Sequence, residues 1–292
     1  PYAEQTFAKL AAHRQIPHCL STVASDTPEN CGPMSREYGW FQRQPPRRDE
    51  IRTDIIKRAD AAGYGALVVT ADVPWPSMRE RQRRAGITIP PKLTPKILWQ
   101  IMQRPEWALR TLMRGKPNFA VMEKYVDTND LGNIVEFVGN ELGGCLDWEY
   151  FAKVRDQWKK PLILKGILSV EDAKLAVEAG ADAVWVSNHG GRQFEAAPAA
   201  IDVLPEIAEA VGDKVKVIFD SGVKSGGDIA KALRLGADFV FPGRPFMYGI
   251  AALGEKGAEH VYQLFYHDLI NNMHQMGIET LQELKSIEVR KR

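Results

Sequence analysis

Short apolar runs alternate with amphipathic stretches throughout the second half of the chain. The runs are rich in Val, Ile, Leu and Phe, and each ends in a polar or glycine-rich loop. This pattern predicts parallel strands buried on both faces, each followed by a helix that covers the sheet. The predicted strands are residues 161–165, 183–187, 215–220 and 239–241. The predicted helices are residues 169–178, about 199–211, 228–235 and about 260–276.

The first half follows the same alternation less regularly. Strands are predicted at residues 17–22, 39–42 and 66–72, and helices at residues 7–13, 49–62 and 147–158. Seven strands in this order favour an α/β fold of the (β/α)8 TIM-barrel type, which needs eight. Because the chain opens on a helix, we expect the missing first strand to precede Pro1. We expect one barrel domain over residues 1–292.

A long insertion at about residues 73–146 interrupts the predicted barrel. It is much longer than an ordinary connection between a strand and a helix. Its middle part, residues 93–115, mixes Trp, Leu, Ile and Met with Lys and Arg. A basic amphipathic helix of this kind can lie in a membrane interface. It can also pack on its own barrel or on a neighbouring subunit, and the sequence does not decide between these arrangements.

The composition is that of a globular protein, with 45% hydrophobic and 26% charged residues. A formal net charge of +1 argues against a nucleic-acid binder that depends on bulk charge. Cys19, Cys31 and Cys145 have neither CxxC nor metal-ligand spacing, so we expect structural thiols in a reducing compartment and no metal site. No stretch approaches the roughly 20 apolar residues of a membrane span. We expect a cytoplasmic protein, at most attached to the inner face of the cell membrane.

The sequence SNHGGRQ at residues 187–193 is the most informative motif. It follows a predicted strand, and two glycines separate His189 from Arg192. Glycines let the backbone turn tightly and approach a ligand, so both side chains can enter one pocket. Imidazole can accept a proton near neutral pH, and guanidinium can bind a carboxylate in bidentate fashion. On its own, HGGR is equally compatible with a loop-capping role.

Three further groups follow successive predicted strands. Lys165 closes an otherwise apolar strand, DSGVK occupies residues 220–224, and Gly243 and Arg244 follow the last strand. Loops at the ends of the last strands of such barrels commonly bind phosphate through backbone N–H groups, glycines and a basic side chain. Each signal is weak alone, but their order together with His189 predicts one site.

Taken in this order, the segments resemble the FMN-dependent L-2-hydroxy-acid oxidases and dehydrogenases, whose signature is SNHGGRQ. The resemblance covers most of the chain and implies a flavoenzyme that oxidises a 2-hydroxy acid to a 2-oxo acid. It implies that His189 is the base, that Arg192 binds the substrate carboxylate and that Lys165 stabilises negative charge on reduced flavin. The flavin contacts that it implies here are Ser187, Asp220, Ser221, Gly222, Lys224, Gly243 and Arg244.

The first half adds motifs that resemble the same family: LST at residues 20–22, FQ at 41–42 and T-x-D at 70–72. They imply further flavin contacts from Ser21, Gln42 and Thr70. In the family's pattern Asp72 would orient His189 and stabilise its charged form. Arg79 would help Arg192 hold the substrate carboxylate.

Gln44 departs from the family pattern, which has Tyr two residues after the FQ glutamine. The Tyr hydrogen-bonds the substrate in the family, and a glutamine can still donate a hydrogen bond. We therefore expect Gln44 to bind substrate with changed affinity or selectivity.

The motifs RPEW, GKP, LGNI and DSG, at residues 104–107, 115–117, 131–134 and 220–222, resemble the bacterial respiratory lactate and mandelate dehydrogenases. Those enzymes pass electrons to membrane quinone. This favours an L-lactate-like dehydrogenase, with an oxygen-using 2-hydroxy-acid oxidase as the close second reading. The sequence also leaves open a non-redox barrel enzyme with a phosphate ligand and a non-catalytic flavin-binding protein. The resemblance further implies a homo-oligomer, often a tetramer.

Overall fold

The computed structural model describes residues 2–75, 77–78, 80, 84–86, 93–115, 119–126, 131–143 and 146–288. Within them, seven parallel strands form one sheet in strict chain order, each strand paired with the next. The strands are β1 His18–Ser21, β2 Gly39–Arg43, β3 Ala66–Thr70, β4 Leu162–Ile167, β5 Ala183–Val186, β6 Lys216–Asp220 and β7 Phe239–Phe241.

The sheet is curled, because side chains from distant strands meet on its inner face. Trp185 on β5 stacks on Phe241 of β7, with ring centroids 4.4 Å apart. Phe241 also lies 5.4 Å from the ring of Trp40 on β2. In the described part of the chain no ladder joins β7 to β1. The fold is therefore a TIM barrel with one strand fewer than eight, as the alternation in the sequence predicts.

Helices cover the outer face of the sheet. Several begin at a side chain that accepts a hydrogen bond from the first-turn backbone, as Ser169 and Ser225 do. The helices in the described residues are α1 Ala3–Arg14, α2 Pro28–Ser35, α3 Asp49–Ala61, α4 Pro95–Met102, α5 Pro105–Arg114, α6 Leu131–Glu141, α7 Trp148–Gln157, α8 Val170–Glu178, α9 Ala200–Val211, α10 Gly226–Arg234, α11 Arg244–Leu253, α12 Lys256–Gln275 and α13 Leu281–Ser286.

Every predicted strand and helix has a counterpart in the structure, and the structure contains further helices. Four helices were not predicted: α2, α6, α11 and α13. Strand β3 ends at Thr70, two residues before the predicted limit. Asp72 lies outside the ladder, and its side chain contacts His189, which follows β5.

Helices α4, α5 and α6 lie in the long connection between β3 and β4. Helices α4 and α5 expose large apolar side chains, including Trp99 at 60% and Leu112 at 82%. Helix α6 returns to the barrel, where the Glu141 carboxylate accepts hydrogen bonds from the backbone N and the Nε of Arg48, at 2.7 and 3.0 Å. Among the described residues, no helix combines the length and the hydropathy that crossing a membrane requires.

Candidate active site

The carboxyl-terminal ends of the strands bring most of the predicted residues to one rim of the barrel. In the ladder, Ser21 is opposite Gln42, and Thr70 is opposite Lys165. The Gln42 amide Nε2 donates to Thr70 Oγ1 at 2.8 Å, although β2 and β3 contribute these residues separately. Ligands usually bind at the carboxyl ends of parallel strands, both in α/β barrels and in open α/β sheets.

Lys165 is a buried ammonium at this rim, with 6% of its surface exposed. Its Nζ lies 2.9 Å from Asp220 Oδ2, donates to Ser187 Oγ at 2.9 Å and lies 5.1 Å from the centre of the Trp185 ring. Burial acts to lower the pKa of Lys165, but attraction by Asp220, with a further contribution from Asp72, outweighs burial, and the net pKa is raised. The structure therefore holds a fixed positive charge at the end of β4.

The Asp220 carboxylate connects the loops that follow β5 and β6. Its Oδ1 accepts hydrogen bonds from Ser187 Oγ at 2.5 Å and from Ser221 Oγ at 2.7 Å. Ser221 has φ 85°, a left-handed conformation that few residues other than glycine adopt. In that conformation its Oγ accepts from the backbone N–H groups of Asn188 and Gly190 at 3.2 and 3.1 Å.

His189 and Asp72 form the pair that the sequence predicts. The imidazole Nδ1 lies 3.1 Å from Asp72 Oδ1, and the two side chains are 21% and 11% exposed. His189 also has a positive φ of 55°, and its backbone N–H donates to Ser187 Oγ at 3.1 Å. Because Asp72 occupies the Nδ1 side of the ring, Nε2 is the ring nitrogen on the side away from Asp72.

Gly166 lies directly against Asp72, and no motif in the sequence singles it out. It forms a bulge in β4, where the ladder to β5 shifts register between Lys165 and Ile167, and its φ is 100°. A Cβ at this position would lie 2.6 Å from both Cβ and Cγ of Asp72. The available signal was a glycine beside the charged end of a strand, which can mark a bulge or a close approach of two backbones.

The loops after β6 and β7 each contain a glycine with free space beside its backbone. A Cβ added at Gly222 or Gly243 would meet no atom within 4 Å, and Gly222 has φ 85°. Lys224 and Arg244 are exposed beside these glycines, and the Arg244 guanidinium donates to the carbonyl of Gly190 at 3.4 Å. Open backbone with two cations suits the phosphate that the sequence predicts here.

Two of the three residues predicted to bind substrate lie in the described part of the chain. Arg192 is exposed after the HGG turn, and its backbone carbonyl accepts a hydrogen bond from Ser77 Oγ at 2.8 Å. Gln44 is half-buried just after β2, with its backbone N–H donating to Thr22 Oγ1 at 3.3 Å. Arg79 lies outside the described residues.

Known proteins share this architecture. Residues 1–291 match the family of FMN-dependent dehydrogenases. The L-lactate dehydrogenase of Caulobacter sp. (strain K31) is 37% identical over 279 residues, which is 95% of this chain and 73% of the relative. The crystal structure of the monotopic membrane protein (S)-mandelate dehydrogenase matches with a TM-score of 0.92 at 33% identity, over 97% of this chain and 75% of that chain. Mandelate oxidase with benzoyl-formic acid matches with a TM-score of 0.77 at 32% identity, over 97% and 71%.

These matches define the class of protein: it is a flavoenzyme built on a TIM barrel. The chain belongs to the family of FMN-dependent dehydrogenases, and its cofactor is FMN.

The residues present fit that cofactor. The open backbone at Gly222 and Gly243 leaves room for a phosphate, and Lys224 and Arg244 supply the positive charge that it needs. Lys165 supplies a buried cation on the same rim, where the electron-rich edge of a reduced flavin would need one. The side chains and open backbone on this rim therefore suit both the phosphate group and the flavin ring of FMN.

Proposed function

We propose that this enzyme oxidises L-lactate, or a closely similar L-2-hydroxy acid, to the 2-oxo acid and passes the electrons to a quinone-type acceptor. The observation that carries the proposal is the His189–Asp72 pair at 3.1 Å on the same rim as the buried cation Lys165. Oxidation of a hydroxy acid to the 2-oxo acid removes two electrons and two protons, and the arrangement provides a base for one proton and a positive charge to balance the electrons that the acceptor gains.

His189 is proposed to take the proton through Nε2. Asp72 accepts from Nδ1, fixes the tautomer in which Nε2 is the basic nitrogen and stabilises the charged imidazolium after proton transfer. The backbone contact to Ser187 Oγ and the cap that Asn188 makes to the Gly191 N–H hold the turn in place. Reaction geometry therefore depends on loops that are fixed before substrate arrives.

Arg192 is proposed to bind the substrate carboxylate, with Arg79 as the second cation and Gln44 as a hydrogen-bond donor. Arg192 follows the proposed base by three residues after the same strand, and a guanidinium can bind a carboxylate in bidentate fashion. A bidentate clamp of this kind fixes both position and orientation.

Bound FMN supplies the two-electron acceptor for the reaction. Lys165 is proposed to stabilise the negative charge that develops there, and Asp220 keeps the ammonium protonated and directed at the rim. The remaining flavin contacts are proposed to come from Ser21, Gln42, Thr70, Ser187, Asp220, Ser221, Gly222, Lys224, Gly243 and Arg244.

The relatives support lactate as the proposed substrate and a dehydrogenase rather than an oxidase. The Caulobacter protein that is 37% identical is named an L-lactate dehydrogenase. The structural likeness is also greater to the mandelate dehydrogenase than to the mandelate oxidase, with TM-scores of 0.92 and 0.77 at nearly equal identity. Use of oxygen is the second candidate, because the oxidase shares the fold over 97% of this chain.

Anaerobic absorbance of the FMN-loaded enzyme tests the proposal. We expect L-lactate to bleach the flavin bands, D-lactate to leave them unchanged and a soluble quinone analogue to restore them faster than oxygen does. The flavin bands should then distinguish three results. No bleaching by any 2-hydroxy acid contradicts the oxidation, bleaching by mandelate alone contradicts lactate, and faster recovery in oxygen makes the enzyme an oxidase.

We also propose that helices α4 and α5 attach the enzyme to a membrane surface. They expose Leu98, Trp99, Met102, Trp107, Leu109, Leu112 and Met113. Lys96, Arg104 and Arg110 lie among these apolar side chains, a mixture typical of helices in the interface of an anionic bilayer. A surface attachment of this kind would keep the enzyme beside membrane quinone.

Sedimentation with vesicles tests the attachment. We expect binding to vesicles that contain anionic lipid, and at least a tenfold loss of binding in Trp107→Glu/Leu112→Glu, because two buried apolar side chains are worth several kcal/mol. Leu281→Glu, at an exposed position of helix α13, is the control and should bind as the wild type does. Equal binding by all three proteins would remove α4 and α5 from the attachment.

A further inference from the structure

Strand β4 is kinked at Gly166, directly after the buried cation. The side chains of Ile163 and Lys165 point to the inside of the barrel, and Leu164 packs in the outer core. Ile167 also packs in the outer core, so Gly166 is the extra residue that changes the phase of the strand. Because of the bulge, Lys165 is the last residue of β4 whose side chain points into the barrel, and the side chain of Ile167 points to the outer core.

Asp72 occupies the space where a side chain of residue 166 would be. A Cβ built on Gly166 would lie 2.6 Å from Asp72 Cβ, 2.6 Å from its Cγ and 2.8 Å from its backbone N. A Cβ atom essentially never approaches a non-bonded atom this closely, so either residue 166 or Asp72 would have to move. The obstructing atoms are backbone and the root of a short side chain, which have little freedom to move.

Neighbouring contacts prevent an easy displacement. The backbone N–H of Ala71 donates to the carbonyl of Lys165 at 2.8 Å, which joins the ends of β3 and β4 one residue away from the contact. The Asp72 side chain is 11% exposed and holds His189 through Oδ1. Moving Asp72 therefore means changing its hydrogen bond to His189.

We propose that Gly166 is a positioning residue, whose missing side chain allows Asp72 to reach His189. The inference rests on the proposed function, in which His189 is the base, and it adds a residue that acts only through Asp72. Its φ of 100° alone would disfavour any other residue, so the test must separate strain of the backbone from collision with Asp72.

Gly63→Ala is the matched control. Gly63 also has a left-handed φ of 84°, but a Cβ there would meet no atom within 4 Å. Both substitutions therefore strain the backbone, and only Gly166→Ala collides with Asp72. We expect kcat of Gly166→Ala to fall about 100-fold, in line with a misplaced catalytic group, and kcat of Gly63→Ala to stay within about 2-fold of the wild type.

A spectroscopic readout distinguishes this proposal from the proposed reaction. The imidazole 15N signals of His189, assigned by their loss in His189→Gln, report the hydrogen bond at Nδ1 without any turnover. We expect them to move in Gly166→Ala and to stay in place in Gly63→Ala. Unchanged signals in Gly166→Ala would overturn the positioning role, whereas a wild type that no hydroxy acid reduces would overturn only the proposed function.

A second background keeps the test decisive if Gly166→Ala is poorly stable. Asp72→Gly removes both side-chain atoms that a Cβ at residue 166 would strike. The backbone N of residue 72 still lies 2.8 Å from the added Cβ in that background. Gly166→Ala should therefore lower the midpoint of thermal unfolding by less there than it does in the wild-type background. An equal loss from Gly166→Ala in both backgrounds would show that Asp72 is not the obstructing group.

Discussion

Replacing Asp220 by asparagine removes the negative charge nearest to the buried ammonium of Lys165. Asparagine keeps the size of the side chain and can still accept a hydrogen bond from Ser187 or Ser221. The ammonium loses the carboxylate that lies 2.9 Å from its Nζ and keeps its hydrogen bond to Ser187 Oγ. The substitution therefore leaves a cation that is 7% exposed with little compensation.

Removing one partner of a buried ion pair typically costs about 3–5 kcal/mol. We expect the lower value, about 3 kcal/mol, because Ser187 remains and Asp72 also attracts the ammonium. Average unfolding entropies give about 0.6 kcal/mol per kelvin for a chain of this length, so the midpoint should fall by about 5 °C.

The pH dependence of the loss follows from the sign of the lysine shift. The pKa of Lys165 is raised in the folded state, since attraction by Asp220 outweighs burial. The stabilisation is then fully present below the unfolded lysine pKa of about 10.4 and is lost only as the pH rises through the higher folded value. The deficit of Asp220→Asn should therefore be constant between about pH 7 and pH 9.

Urea unfolding, followed by circular dichroism with and without added FMN, measures the deficit. Asp213→Asn is the control, since this exposed aspartate follows helix α9, and it should unfold within about 0.5 kcal/mol of the wild type. A loss below about 1 kcal/mol for Asp220→Asn in the FMN-free protein would refute the view that Asp220 stabilises the buried charge.

Three other substitutions have defined outcomes. His189→Gln should abolish turnover and leave the flavin absorbance of the purified protein intact, and near-normal turnover would exclude His189 as the base. Arg192→Met should raise the KM for L-lactate about 10- to 100-fold by removing charge-assisted hydrogen bonds, and steady-state kinetics with an unchanged KM would argue against the clamp. Gly257→Ala should destabilise the fold by about 1–3 kcal/mol or more in urea, because its Cβ would collide with the carbonyl oxygen of Gly249. Gly139→Ala, whose Cβ would meet no atom within 4 Å, is its control, and equal effects would contradict the close packing of α11 on α12.

The sequence predicted the barrel because its strands carry an unambiguous pattern. The run ALVVT at residues 66–70 is buried at every position, as an interior strand of a parallel sheet must be. The missed helices contain residues that obscure the pattern. Helix α2 includes Gly32 and Pro33, although Thr27 and Pro28 at its start are ordinary signals for a helix beginning.

The sequence predicts the candidate site residues one by one, with His189 and Asp72 as a contacting pair, and leaves out the contacts among Lys165, Ser187 and Asp220. Lys165 and Asp220 were each expected to contact flavin, and the sequence held no sign that they form an ion pair across the end of β5. The left-handed conformation of Ser221 was equally hidden, since serine does not favour it. Contacts of this kind depend on the curvature of the sheet, which residue types along a strand do not specify.

The aromatic side chains inside the barrel give its two ends different roles. Trp40, Trp185 and Phe241 fill the space beneath Lys165, together with aliphatic residues from β3, β4 and β6. Within the described residues, these side chains fill the interior below Lys165, whereas the glycine loops at the carboxyl ends of β6 and β7 leave backbone accessible at the other end. The proposed hydroxy acid, its 2-oxo product and the electron acceptor would then all reach the flavin from this same end of the barrel. The product would have to dissociate before the acceptor could bind in its place.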